Sequence, residues 1–229
     1  MEFPQASKSY YLDRSTYKNL RWIAIIGQFI TVNSVKFLFE FDFSYLLSNI
    51  IIFFGISSNL YLHYFDTNPQ ISNKSSFIYL IIDIFQLSAL LYLTGGVLNP
   101  FSIFLIIPSI FSSSNLNIKT NLTLISITLF MIIFLTFFSY ELPYPMNEKL
   151  NIDEYYYFSI PLSLIVALIF LNYFAITFGK ESRLRKEALD KIQEVIAKEH
   201  ELVSLGGQAA AAAHSLGTPL STIKIISQE

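Results

Sequence analysis

The sequence contains no cysteine. That excludes disulfides, a Cys-ligated zinc site and any thiol redox switch within these 229 residues. Charge is scarce too. Asp, Glu, Lys and Arg together make up 14%, where a soluble globule carries about a quarter. The formal net charge of -2 offers no basic surface for direct nucleic-acid binding. Eight Gly and eight Pro are too few for a collagen-like or Gly/Pro-rich disordered chain. What is abundant is apolar: 53% of the residues, with 22 Phe and 14 Tyr. This is the composition of an integral membrane protein with a soluble end.

A membrane helix needs about 20 largely apolar residues. Six candidate runs occur, at residues 20–39, 43–64, 77–94, 101–114, 121–140 and 157–179. The fourth is short and holds Pro108, whose freed backbone partner a neighbouring helix can satisfy. The runs are continuous rather than alternating, which argues against membrane strands. Six spans put both termini on one side. Thirteen of the fifteen Lys and Arg then share that side, with only Lys36 and Lys149 opposite. The positive-inside rule makes that side cytoplasmic. Glu40, Asp42, Glu141, Glu148, Asp153 and Glu154 fall in the outward loops. Trp22, Tyr140, Tyr144 and the run Tyr155, Tyr156, Tyr157 sit where interfacial aromatics anchor spans. The first twenty residues are polar and lack a cleavage site, so the first span is expected to be retained.

Asp83 is the only carboxylate well inside a span. Gln86 follows three residues later on the same helix face. A carboxylate at that depth is costly and must face the bundle or water and find a partner. It reads either as a ligand- or proton-linked group or as a hydrogen-bonded packing group. Asn33, Asn49 and Asn59 read as interhelical glue. His63 ends the second span near the surface. No further His or carboxylate stands at ligand spacing, so no metal site is expected.

Residues 95–101 read GGVLNPF. Gly95 and Gly96 allow a tight turn, and Pro100 after Asn99 suits the first turn of a helix. The bland reading is a turn between spans. The sharper one is a binding loop, in which exposed amides and the Asn99 side chain beside Phe101 take a quinone head group.

After residue 179 the composition turns charge-rich and helix-forming. Leu189, Ile192, Ile196, Glu199 and Val203 recur at three and four, as do Ala188, Ile192, Val195, Glu199 and Leu202. Both phases fit an amphipathic, coiled-coil-like helix, and the register stays open. Lys180, Arg183, Arg185 and Lys186 also suit an anionic lipid surface. Gly206 and Gly207 predict a hinge. The remainder reads QAAAAAHSLGTPLSTIKIISQE. Neutral imidazole is a nucleophile, and the run Ala209 to Ala213 leaves His214 open to a bulky partner. Leu216, Leu220, Ile223 and Ile226 give a buried face that excludes His214, and Pro219 should bend the helix.

The string AAAAAHSLGTPLSTI resembles the H-box of sensor histidine kinases. Together with GGVLNPF it resembles the RegB/PrrB (ActS) family of redox-responsive sensor kinases from proteobacteria, over essentially the whole chain. The resemblance implies that His214 accepts the γ-phosphoryl group of ATP. It implies that Thr218 helps orient water for dephosphorylation of the partner regulator and that Pro219 bends the helix. Gly95, Gly96, Asn99, Pro100 and Phe101 would form the quinone-responsive loop. Ser215 departs from the pattern, because the family places an acidic residue there.

The expected fold is all-α. A six-helix transmembrane bundle precedes a cytoplasmic signalling helix and the first part of a dimerisation/phosphoacceptor helix. The divisions fall at residues 1–19, 20–179, 180–205 and 206–229. The resemblance implies a homodimer in the bacterial inner membrane, with both termini cytoplasmic and a cognate response regulator as partner. Lipid and ubiquinone are the expected membrane ligands, and ATP would bind a domain absent from this chain. The competing readings are a membrane quinone- or ligand-binding module without kinase activity, a small transporter and a scaffold.

Overall fold

The computed structural model describes residues 12–64, 70–145 and 152–227. Lys8, Glu148 and Lys149 lie outside them, as do the side chains of His214, Leu216, Thr218, Pro219, Leu220, Ile223 and Ile226. Six α-helices dominate: α1 (Arg14–Phe37), α2 (Tyr45–Tyr64), α3 (Asn73–Leu93), α4 (Ile107–Asn115), α5 (Ile118–Phe137) and α6 (Glu154–Ile226). The fold is all-α apart from two short strands, β1 (Leu12–Asp13) and β2 (Gln70–Ile71), paired antiparallel. That pairing ties the start of α1 to the chain entering α3.

Helix starts follow capping chemistry. Asp13 accepts from the Thr16 amide at 2.8 Å and the Thr16 hydroxyl at 2.7 Å. The hydroxyl and then the amide hold this exposed carboxyl below the ordinary carboxylate range. Ser72 caps α3 through the Ser75 amide, and Asn117 caps α5 through the Thr120 amide. Because Asp13 starts α1 at Arg14, the first helix begins six residues before the apolar run, and the expected division at residues 1–19 cuts through it.

Among the described residues four helices are long and apolar enough to cross a membrane: Tyr45–Tyr64, Asn73–Leu93, Ile118–Phe137 and one within Glu154–Ala213. This is a multi-pass membrane protein. The fourth expected span is not one α-helix. A seven-residue 3-10 helix, Pro100–Ile106, precedes the nine residues of α4. Pro108 explains the change: it has no N–H to give the Phe104 carbonyl, so the Ile107 amide bonds that carbonyl instead. The 3-10 stretch rises about 2.0 Å per residue against about 1.5 Å in α-helix. The two pieces together reach about 27 Å, close to the roughly 30 Å hydrocarbon core.

The chain divides into two compact units, Met1–Gly179 and Lys180–Glu229. In the first, α1 packs on α2, α2 on α3, and α3 and α4 on α5. Leu80, Ile84, Leu91, Leu105, Leu124, Ile132 and Leu168 centre its larger core, and Ile25, Val32, Ile52 and Leu90 a smaller one. Asn33 and Asn59 do link helices, through the Tyr45 hydroxyl and the Lys18 carbonyl. Asn49 does not: it donates to Tyr45 one turn back on its own helix. The stronger polar tie was not legible in sequence. Ser112 and Ser113 of α4 converge on Asn121 of α5, and Ser113 also reaches Asn172 of α6.

The second unit is the continuation of α6. Leu189, Ile192, Val195, Ile196, Leu202 and Val203 are all exposed along it. The helix runs through Gly206 and Gly207 without a break, which corrects the expected hinge. A Cβ on either glycine meets nothing within 4 Å. Gly206→Ala and Gly207→Ala are each expected to stabilise this helix by about 1 kcal/mol, read as slower amide exchange across residues 200–212. Faster exchange would show a local conformation that needs glycine.

Candidate functional site

The GGVLNPF segment is the turn between α3 and the 3-10 helix. Gly95 and Gly96 take φ of 106° and 58°, a region that costs other residues. Asn99 staples the turn. Its Nδ2 donates to the Thr94 carbonyl at 2.8 Å and the Thr94 hydroxyl at 2.9 Å, while its Oδ1 accepts from the Phe101 amide at 2.9 Å. Thr94, which the sequence reading missed, is buried and donates in turn to Leu90. Pro100 occupies the first turn of the 3-10 helix.

The amides of Leu98, Asn99 and Ser102 bond carbonyls within the same turn. These amides, the Phe101 amide and the Asn99 side chain are therefore spent on the fold. What the segment presents outward is aromatic. Phe101 and Phe104 stack with centroids 5.9 Å apart, 42% and 47% exposed. Behind them the chain after α5 closes over the glycines. The Tyr140 amide donates to the Tyr92 carbonyl, and the two rings meet edge to face at 5.4 Å.

Asp83 and Gln86 both reach α1 but make separate contacts. Gln86 donates to Gln28 at 2.8 Å. Asp83 joins a charged node. Arg21 donates to Asp83 Oδ1 from Nε at 2.9 Å and approaches it from Nη2 at 2.8 Å. The Tyr17 hydroxyl donates to Oδ2. Arg21 Nη2 also donates to Ser58 at 2.9 Å, and the guanidinium lies over the Tyr17 and Tyr79 rings. Tyr17 stacks on Phe111 of α4. Four helices thus meet at one ion pair, whose Arg21 side chain is 5% exposed. In the sequence Arg21 counts only as one of the thirteen Lys and Arg that share a side, which hides its role. Nearby, Arg14 donates to the Leu62 and His63 carbonyls and so caps the end of α2. Among the described residues no three His, Cys, Asp or Glu side chains group as metal ligands.

His214, Ser215, Thr218 and Pro219 lie in succession on α6, which stays helical through Pro219 to Ile226. Ala209 to Ala213 are exposed. The Ser215 hydroxyl donates to the Ala212 carbonyl at 2.9 Å. Its one hydrogen is committed to the backbone, and it brings no carboxylate to the imidazole.

Comparison with known proteins gives one family match and two similar relatives. The PilS-like transmembrane domain family matches residues 23–181. The chain is also similar to a sensor histidine kinase RegB from Cereibacter sphaeroides, 30% identical over 211 residues, covering 92% of this chain and 46% of that protein. A second RegB of the same species is 33% identical over 99 residues, covering 43% of this chain and 21% of that protein. The chain therefore spans about half the length, or less, of the curated relatives it matches. No solved structure matches it.

Proposed function

The chain belongs to the PilS-like transmembrane domain family, as a RegB-like N-terminal membrane portion, and from that premise we propose that it is the sensing and phosphoacceptor part of a membrane histidine kinase in a two-component system. The observation that carries the reading is α6. One helix holds the last membrane segment, the exposed apolar stripe and the H-box-like run around His214.

In this reading a ring nitrogen of neutral His214 attacks the γ-phosphorus of ATP. The bond to the β,γ-bridging oxygen breaks, ADP leaves and phosphohistidine forms. ATP is held by a separate domain of the longer kinase. A response regulator then takes the phosphoryl group. Ser215 supplies no base, so the imidazole proton passes to another carboxylate or to water. The stripe through Leu189, Ile192 and Ile196 pairs two copies into a homodimer. The bundle sits in the inner membrane with both termini in the cytoplasm, a reading of orientation that the thirteen Lys and Arg on one side support.

The signal is the redox state of the quinone pool. The described geometry fits a quinone by its ring rather than by its oxygens. Phe101 and Phe104 offer a flat exposed face toward lipid, while the donors of Asn99 are already used. A bound quinone supplies reversible two-electron chemistry, and this chain supplies the stacking face and the turn that holds it.

The test is phosphate incorporation by the reconstituted chain, given γ-labelled ATP and the ATP-binding domain of a RegB relative. His214→Gln is expected to abolish base-stable, acid-labile label. Labelling that persists in that variant sinks the kinase reading and leaves a ligand-binding membrane module.

A further inference from the structure

A groove of about 410 Å³ lies between α2 and α3, apart from the GGVLNPF turn and from the tail. Phe54, Ile78 and Ile82 form its apolar wall, and Ser58, Tyr61, Ser75 and Tyr79 bring hydroxyls to it. Tyr61 sits in the last turn of α2 and Ser75 in the first turn of α3. The mouth therefore lies where both helices leave the span. Phe54 and Ile82 lie seven residues deeper on each helix, about 10 Å into the hydrocarbon. Polar at the mouth and apolar at depth is the polarity of a lipid standing in its leaflet.

The first turn of α3 carries charge of one sign. Lys74 is exposed beside Ser75, and the first turn of α3 carries no acidic residue. The positive end of the α3 dipole points to the same place. Behind the wall lies Arg21, which touches two groove residues, Ser58 by hydrogen bond and Tyr79 by its ring. The Nη1 of this 5% exposed side chain is buried without a partner. That donor is unspent after Asp83 and Ser58 are served. Among the described residues no carboxylate lines the groove.

We propose that this groove seats an anionic phospholipid. Its phosphate lies at the mouth, against Lys74, the Ser75 hydroxyl and the α3 N-terminus. One acyl chain follows Phe54, Ile78 and Ile82. Basic sites between membrane helices select anionic head groups in this way. The lipid then borders the charged node that joins α1, α2 and α3, so leaflet composition acts on the same helices as the sensor turn.

The test uses the full chain and native mass spectrometry after extraction from mixed bilayers. Phosphatidylglycerol is expected to stay bound at least about tenfold more than phosphatidylcholine, given several donors at the mouth. Lys74→Gln, on an exposed side chain, is expected to lower phosphatidylglycerol retention about fivefold. Ile78→Trp fills the wall without touching Arg21 and is expected to remove retention while the thermal midpoint stays near wild type. Equal retention of the two lipids by the wild-type chain overturns the proposal, as does unchanged retention in Lys74→Gln. Displacement of the lipid by soluble glycerol phosphate shows a free-anion site and overturns it as well.

Discussion

Replacing Asp83 with Ala is expected to destabilise the membrane unit by about 3–5 kcal/mol. The size comes from what is left behind. Arg21 keeps its charge, because a guanidinium does not deprotonate in a protein. It stays 5% exposed, with Ser58 and two aromatic rings as its remaining contacts. The Tyr17 hydroxyl loses its acceptor at the same time. Water cannot repair either loss cheaply at this depth. The measurement is the unfolding midpoint in micelles, with Asp83→Ala beside the double variant Arg21→Met with Asp83→Leu. The double variant removes both charges and is expected to lie within about 1–2 kcal/mol of wild type, because an apolar pair avoids the desolvation cost. A loss below about 1 kcal/mol in Asp83→Ala would falsify the buried ion pair. Added salt is not expected to change the difference, since a buried pair is poorly screened.

The two halves of that node differed in how far they could be read from sequence. Asp83 stands out because a lone carboxylate interrupts an apolar run. Arg21 does not, because it follows Arg14 and Lys18 at the edge of the first run and counts there toward sidedness. Nothing local says that α1 turns it inward; the packing of α1 on α2 and of α2 on α3 decides that. The same division holds elsewhere. Continuous apolar runs located the helices, and Pro108 marked the weak one. The conversion of residues 100–106 to a 3-10 helix depends on which carbonyl the proline leaves unpaired. Gly206 and Gly207 predict a break from propensity alone. A helix already nucleated over many turns carries them at a cost of about 1 kcal/mol each. In the GGVLNPF turn the motif was legible, but its use of Asn99 was not. The side chain that looked available for a ligand is committed to Thr94 and Phe101.

Gly96→Ala is the other large effect expected, about 2–5 kcal/mol. Two costs add. Gly96 sits at φ 58°, in the left-handed region, where a Cβ costs roughly 1–2 kcal/mol. The new Cβ would also lie 2.4 Å from the Ser139 hydroxyl oxygen and 2.6 Å from the Leu135 carbonyl oxygen. Ser139 can rotate away. The Leu135 carbonyl cannot, because it is backbone in the last turn of α5. Relief therefore requires the turn to lift from the end of α5, and overpacking of that kind costs about 1–3 kcal/mol. Lifting also strains the neighbouring Tyr140-to-Tyr92 hydrogen bond, which holds the chain after α5 in place. Gly27→Ala is the matched control. Gly27 is helical, exposed and open around its Cβ direction, so that change is expected to stabilise by up to about 1 kcal/mol. Thermal midpoints in the same detergent should move in opposite directions for the two variants. If both rise, Gly96 is an ordinary turn glycine and the turn does not rest on α5. If Gly96→Ala falls while Gly27→Ala rises, the glycines serve to bring backbone against backbone, and Phe101 with Phe104 is the outward face that this close approach fixes.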